Sequence, residues 1–463
     1  MTSNISCYPT VNLEDAPKLR FRHHALLMAI SAIWLIALTS GYEQALLAQS
    51  LLGVLVAIVG LKRPFLGTLG LGMLTTLDPL SRGLLGDAGI WRWNTFNLLL
   101  LVIAFVRVNR VVKKATVQHL LLLLFIALLG IDLLMTEDLE NGWQQFLGAA
   151  SAVGFAAYLM KAACTPGIWY SLGIVNGFLG ATAGFFYYAQ RSDLPYLNPN
   201  AFAHSPLTGL FSVCLAYMEA RTARDIRILL PLAGVNLVWI FLSGSRGCIF
   251  VSFVCLLYML VRMKAVAGSK SIPAVVFVSA VSIVLVSTFS DLGENAFQRV
   301  AKLFDDDRSM ANKTSGRSEL AFAGWEIFKS HPLGIGTGSF DQAFADLDIE
   351  GSPFAGHQKQ AHSGWVKILT ENGVPGIILL VLFVASFVTG GMRAGATNGV
   401  RGIGYLTAAA LTIGFLSTEF QSKDLWFLAM SAAAALRFRT QAHRISPSEQ
   451  TWHEEAGPKF AST

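Results

Sequence analysis

A few polar residues stand out in a chain that is otherwise rich in hydrocarbon. Arg246 lies in the tetrapeptide GSRG, between two apolar runs. Glycine on either side lets backbone approach a bound group closely, and a guanidinium placed there suits an anion. The same arginine can instead anchor a helix end by reaching toward water. Arg317 opens the stretch RSELAFAGWEIFKSHPLGIG, where a helix N-terminus would offer free N–H groups to an anion. Taken alone, a solvated loop arginine is the better account of it. His362, in AHSGWVKILTENG, can handle a proton near neutral pH or simply pack at an interface. Glu371 follows nine residues later, about 13 Å along an ideal helix and on its opposite face, so the two are not expected to pair. A structural role at the ENG helix end suits it better. Asn200, in the NPN turn, is a further candidate for an acceptor site or a structural role.

The elements that must position these groups are helices in a membrane. The 463 residues are 53% hydrophobic and only 14% charged, with a mean hydropathy of +0.53, well outside the range of soluble domains. A net charge of +6 could suggest nucleic acid, but membrane proteins gather Lys and Arg on the cytoplasmic side for topological reasons, and no nucleic-acid partner is expected. Runs of about twenty apolar residues are needed to cross the hydrocarbon core. They lie near residues 25–41, 45–61, 64–80, 94–106, 117–135, 145–160, 167–187, 202–218, 228–242, 247–261, 272–290, 374–391, 402–417 and 424–437. The expected fold is therefore an all-α polytopic membrane protein of about 12 to 14 transmembrane helices.

Charge orients the spans. Lys18, Arg20 and Arg22 precede the first run, Lys62 and Arg63 follow the second, and further basic residues recur at alternate connections and in the C-terminal tail. The positive-inside rule then places both ends in the cytoplasm. The expected layout is a cytoplasmic segment over 1–24, spans 1 to 11 over 25–290, a folded outer loop over 291–373, spans 12 to 14 over 374–437 and a cytoplasmic tail over 438–463. The N-terminal segment is polar and lacks a small-residue cleavage site after the first apolar run, so the first span is expected to be retained.

The outer loop is too long to lack structure of its own. Its second half predicts a helix capped by Ser315 or Ser318, with Ala321, Trp325 and Phe328 on one face and HPLG as its stop. The HSGWVKILTENG segment predicts an amphipathic interfacial helix. It carries His362, Trp365, Val366 and Leu369 at helical spacing, while Lys367 and Glu371 would be awkward in hydrocarbon. Asn372 and Gly373 end it, and Pro375 can start the next span, where its missing N–H costs little.

Other features carry less. The five cysteines lack the spacing of a zinc site and read as small buried hydrophobes. Asp305, Asp306 and Asp307 lack the alternating ligands of a calcium loop and read as a solvated acidic turn. No metal site and no cofactor is expected.

Taken in order, RSDLPYLNPNAFA, GSRG, GRSELAFAGWEIFKSHPLGIGTGSF and AHSGWVKILTENGVPG resemble the O-antigen ligase/polymerase family of bacterial inner-membrane glycan enzymes. The resemblance covers roughly residues 190 to 420; the spans before it match in hydropathy alone. It implies a GT-C-like membrane glycosyltransferase with its active site facing the periplasm. The donor would be an oligosaccharide on undecaprenyl pyrophosphate and the acceptor a sugar hydroxyl. It implies Arg246 and Arg317 as pyrophosphate-binding residues, standing in for the divalent ion used elsewhere, and His362 as general base. Asn200, Glu371, Gly334 and Gly336 are supporting candidates.

Three functions fit that pattern. A polymerase would add repeat units to another lipid-linked glycan, building O-antigen or exopolysaccharide alongside polysaccharide-assembly proteins, and the high span count favours it. A ligase would move finished glycan onto lipid A core. A lipid-linked glycan flippase would need midplane charges and internal repeats, which the sequence does not display; its unusual polar residues collect at one face.

Overall fold

The computed structural model describes residues 64–85, 116–162, 167–189, 202–220, 223–267, 317–347, 360–393, 398–417 and 423–442, with a few scattered positions before residue 64. Among the described residues the regular structure is helical throughout. In chain order the helices are α1 (Pro64–Leu85), α2 (Val117–Asp132), α3 (Leu139–Ala162), α4 (Ile168–Ala189), α5 (His204–Glu219), α6 (Ala223–Ser243) and α7 (Arg246–Ala267). They continue as α8 (Arg317–Ser330), α9 (Phe340–Asp346), α10 (Gly364–Glu371), α11 (Gly373–Arg393), α12 (Asn398–Ser417) and α13 (Lys423–Ala442). A 3₁₀ turn, Leu133–Met135, extends α2.

Apart from α8, α9 and α10, these helices lie over the apolar runs of the sequence. The runs at 25–41, 45–61, 94–106 and 272–290 fall wholly or largely outside the described residues. Val117–Met135, Arg224–Ser243 and Gly373–Arg393 are long and apolar enough to cross a membrane. Exposed apolar side chains run along them: Leu120, Leu123 and Leu124 on α2, and Ile378, Val381 and Leu382 on α11. In water such stripes would be a liability, and on a helical membrane protein they are the surface that meets lipid.

Inside the bundle, close approach replaces the hydrophobic effect as the organising force, because lipid is as apolar as the core. Helix α4 presents Gly173, Gly177, Gly180 and Gly184 to α5 and α6, and a Cβ on Gly177 would stand 2.9 Å from Val213 Cγ2. The backbone opened in this way is used: Asn236 Nδ2 of α6 donates to the Gly177 carbonyl at 2.8 Å. Asn176 Nδ2 donates to Ser212 Oγ at 3.0 Å, tying α4 to α5. Side-chain amides buried in this way cross-link helices in place of water.

A second, smaller core sits at one end of the bundle. Leu320, Ala323 and Ile327 of α8, Phe340 and Phe344 of α9, and Ala361 just before α10 form it, with Val366 of α10 packed against it. Ala321, Trp325 and Phe328 share one face of α8, as their spacing predicts, with the Trp325 and Phe328 rings 5.4 Å apart, and a different face turns inward. Leu320, Ala323, Gly324 and Ile327 are buried, whereas Ala321 and Trp325 are exposed. The physical reason is size. A Cβ on Gly324 would lie 2.5 Å from Val366 Cγ1 and 3.2 Å from Thr370 Cγ2, so the small residues set the contact and the large aromatics stay outside. Ser318 lies within the helix, so it does not cap it, and Ser315 is outside the described residues. The helix stops at Ser330, before HPLG, as its sequence predicts.

Candidate active site

Arg246 owes its position to a tight reversal. Gly244, with φ of +64°, turns the chain after α6, and its N–H donates to the Phe241 carbonyl at 2.9 Å. Ser243 Oγ accepts from the Ser245 N–H at 3.1 Å. Arg246 is then the first residue of α7. Arg317 is likewise the first residue of α8. Each guanidinium thus stands at the positive end of a helix.

The structure brings these two arginines together. Burial lowers the Arg317 pKa below its usual value, and the positive charge of nearby Arg246 lowers it further. Two like charges held close at two helix N-termini make a strongly electropositive spot, and an anion there would relieve both the repulsion and the desolvation.

His362 is set differently from the expectation. It is not on the amphipathic helix but precedes the N-cap Ser363, whose Oγ accepts from the Val366 N–H at 3.5 Å. Its φ of +49° is the one positive value among the described non-glycine residues. Histidine tolerates this left-handed region better than most residues, yet the conformation still has a cost and is held by its surroundings. Ala361 on one side is buried in the small core with Leu320 of α8. On the other side, Ser363 Oγ donates to the Phe415 carbonyl of α12 at 3.3 Å. The imidazole itself is exposed, so the backbone is fixed and the ring is accessible. His362 and Arg317 therefore flank one small core, since Leu320 lies one turn into the helix that Arg317 begins.

Helix α10 is pinned at both ends. Near its start, Trp365 Nε1 donates to the Thr412 carbonyl of α12 at 3.0 Å. At its end the backbone is sewn to the HPLGIG loop: the Ile335 N–H donates to the Thr370 carbonyl at 3.1 Å, the Gly336 N–H to the Glu371 carbonyl at 3.0 Å, and the Val374 N–H to the Pro332 carbonyl at 3.0 Å. Gly334 and Gly336 have φ of +101° and +98°. A Cβ on Gly334 would overlap the Glu371 carbonyl. Both glycines are called for at this junction by conformation and by close approach.

Lys367 and Glu371 are where the interfacial reading needs correction. Both point inward, 1% and 0% exposed, rather than toward an aqueous surface. Their partners explain it. The Lys367 ammonium is 3.9 Å from Glu371 Oε1, and the Phe340 N–H donates to the same oxygen at 3.2 Å. Gln145 of α3 lies across the pair; with its amide assigned so that each charge meets a complementary atom, the nitrogen is 3.0 Å from Glu371 Oε2 and the oxygen 2.8 Å from Lys367 Nζ. Burial pushes the Glu371 carboxyl up to about 7; the Lys367 charge and the Gly338 and Phe340 N–H groups oppose that rise, and Asp341 adds to it. The contacts of the Glu371 carboxylate are thus with Lys367, Gln145 and the Gly338–Phe340 backbone at the end of the helix.

Sequence reasoning passed over the groups that face this lock. Asn372 Nδ2 donates to Asp132 Oδ2 at 2.6 Å and to Thr337 Oγ1 at 3.2 Å. Thr337 Oγ1 in turn donates to the Leu129 carbonyl at 3.3 Å. The one available signal was a lone acidic residue, Asp132, at the end of a leucine-rich span. Asn200 lies outside the described residues, as does the Asp305 to Asp307 run. Among the described residues no group of three or more His, Cys, Asp and Glu is gathered as a metal site would require.

No curated protein matches the chain. A family model does match, over residues 231–381, from within α6 to within α11, and the match spans Arg246, Arg317, His362 and Glu371. The family it describes is O-antigen ligase, and the matched segment is similar to that family.

Proposed function

We propose that this protein is a glycosyltransferase of the bacterial inner membrane that moves a glycan from undecaprenyl pyrophosphate to an acceptor sugar hydroxyl at the periplasmic face. The observation that carries the reading is the closeness of Arg246 and Arg317 at two helix N-termini, with Leu320 of the Arg317 helix and Ala361, next to His362, in one small core. In the transfer step the acceptor oxygen attacks the anomeric carbon as the bond from that carbon to the pyrophosphate oxygen breaks. The acceptor proton passes to the His362 imidazole, and the charge left on the pyrophosphate is taken up by the two guanidiniums. Arginine suits that task because its planar fork matches two phosphate oxygens at once. No metal is required in this scheme, since fixed cations neutralise the leaving group.

The acceptor we favour is a second lipid-linked repeat unit, which makes the protein a polymerase. The second reading is transfer to lipid A core, and the match to a family described as O-antigen ligase is compatible with either acceptor. Reconstitution with an undecaprenyl-pyrophosphate-linked repeat unit separates them. A ladder of lengthening lipid-linked products indicates a polymerase, and product formed only when lipid A core is added indicates a ligase. Absence of transfer to either acceptor would overturn the proposal.

A further inference from the structure

We propose that the corner between α2 and α3 is the back wall of the site, and that Asp132 and Gln145 are positioning residues for transfer, acting on His362 through α10. The inference rests on the reading of His362 as the proton acceptor. It goes beyond it by assigning part of the site to residues before 231, which lie outside the family match.

Helix α10 has eight residues, too few for stability of its own, so its position is whatever its ties impose. At its start those ties reach α12 through Ser363 and Trp365. At its end they reach the α2–α3 corner. Asp132 holds Asn372, the residue immediately after the helix, by the 2.6 Å bond from the amide to the carboxylate. Gln145 lies over Lys367 and Glu371 within the helix, matching an acceptor to the ammonium and a donor to the carboxylate. The loop between α8 and α9 is held in the same corner, with Thr136 Oγ1 3.0 Å from Ser339 Oγ and Asn141 Nδ2 donating to the Gly338 carbonyl at 2.9 Å.

The consequence for the site is mechanical. His362 is joined to α10 through its N-cap and is held in a left-handed conformation that only a fixed neighbourhood sustains. A small slide of the helix carries the imidazole with it, and misplacement by about 1 Å can slow a reaction about a hundredfold. The buried groups of the corner are also hard to replace singly. Each removal leaves a partner unsatisfied where water does not reach.

The test exchanges the ends of one bond. Asn372→Asp sets two carboxylates face to face, and adding Asp132→Asn restores an amide–carboxylate pair with its ends reversed. In nanodiscs supplied with the lipid-pyrophosphate-linked repeat unit, Asn372→Asp is expected to lower kcat by about 10- to 100-fold with donor KM nearly unchanged, because the arginines are untouched. The double variant should recover most of that loss. Hydrogen exchange over residues 363–372 should rise in Asn372→Asp and return in the double variant. A double variant no faster than Asn372→Asp, or unchanged exchange in Asn372→Asp, overturns the inference, as does raised exchange with wild-type kcat. Should Asn372→Asp fail to accumulate, Thr136→Val removes the bond to Ser339 with little change of shape, and a kcat and exchange profile identical to wild type then sinks the idea. If the wild-type protein itself transfers no glycan, the functional reading fails, and the exchange data still decide whether the corner holds the helix.

Discussion

The ammonium of Lys367 lies 3.9 Å from the carboxylate of Glu371, one helical turn away, and neither side chain reaches solvent. A buried pair of this kind contributes little net stability, but removing one partner strands the other charge, typically at about 3 to 5 kcal/mol. Above pH 7, where the Glu371 carboxyl is ionised, Lys367→Met should therefore be more damaging to thermal stability than a paired replacement of both residues by Met and Leu. Unfolding of the purified protein in one detergent, followed by temperature, gives the comparison. Equal stability of the single and double variants would mean that the pair is not acting as a unit.

Glu371 also predicts a pH dependence of stability. The folded carboxyl keeps its proton up to about 7, against an ordinary value of 4.5, so the native state binds more protons than the unfolded chain between those values. Its contribution is fully present below about pH 4.5 and is lost as pH rises through about 7, on the order of 3 kcal/mol for an isolated group with this shift. Glu371→Gln cannot titrate and should flatten the fall in melting temperature across that window while still accepting from the Phe340 N–H. A variant whose stability falls with pH as steeply as wild type would assign the effect to another group.

The glycines of the HPLGIG loop give a prediction with an internal control. Gly336 has φ of +98°, and a Cβ there would stand 2.8 Å from the Thr136 backbone nitrogen. Gly336→Ala should destabilise by more than the roughly 1 kcal/mol of a strained glycine replacement alone, because it also forces the loop from the α2–α3 corner. Gly234, inside α6, has nothing within 4 Å of a built Cβ, so Gly234→Ala should be neutral or stabilising. Equal melting temperatures for the two variants would show that the loop is less tightly held than its hydrogen bonds indicate.

How much of this was legible in the sequence varies with the range of the interaction. Arg246 and Arg317 were legible because each is marked locally, one by flanking glycines and the other by the start of a helical pattern. Their closeness was not, since more than one span of chain separates them. The Lys367 and Glu371 spacing was visible, but its meaning depended on Gln145 and the Phe340 N–H, which come from elsewhere. Without those partners two charges on a short helix look as if they must face water. The α8 spacing showed which residues share a face but not which face turns inward. Hydrophobic periodicity favours large aromatics, whereas the closest packing here is made by Ala323 and Gly324. Asp132 and Asn372 lie 240 positions apart, and no local pattern could have joined them.

The arginines should separate in their kinetics. Arg246→Lys keeps the charge but loses the planar fork, so it should still slow transfer substantially. Arg317→Ala should raise donor KM as well as lower kcat, because part of the pyrophosphate charge is already present before the transition state. Donor titrations at matched membrane expression provide the measurement. An Arg246→Lys enzyme with wild-type kcat/KM would show that charge alone suffices at that position.

His362 needs a substitution that separates chemistry from backbone. Alanine removes the imidazole but is also poorly suited to a φ of +49°, so a loss in His362→Ala mixes two causes. Asparagine adopts the left-handed region readily and cannot serve as a base at neutral pH, which makes His362→Asn the cleaner variant. Both should bind the lipid-linked donor nearly as wild type does, since the guanidiniums are intact. Both should slow transfer by something like 10²- to 10⁴-fold, the range associated with loss of a general base. His362→Asn should in addition melt at a temperature close to wild type, with His362→Ala lower. Transfer at near wild-type rates by His362→Asn would remove the histidine from the chemistry and leave it a backbone role at the entrance to α10.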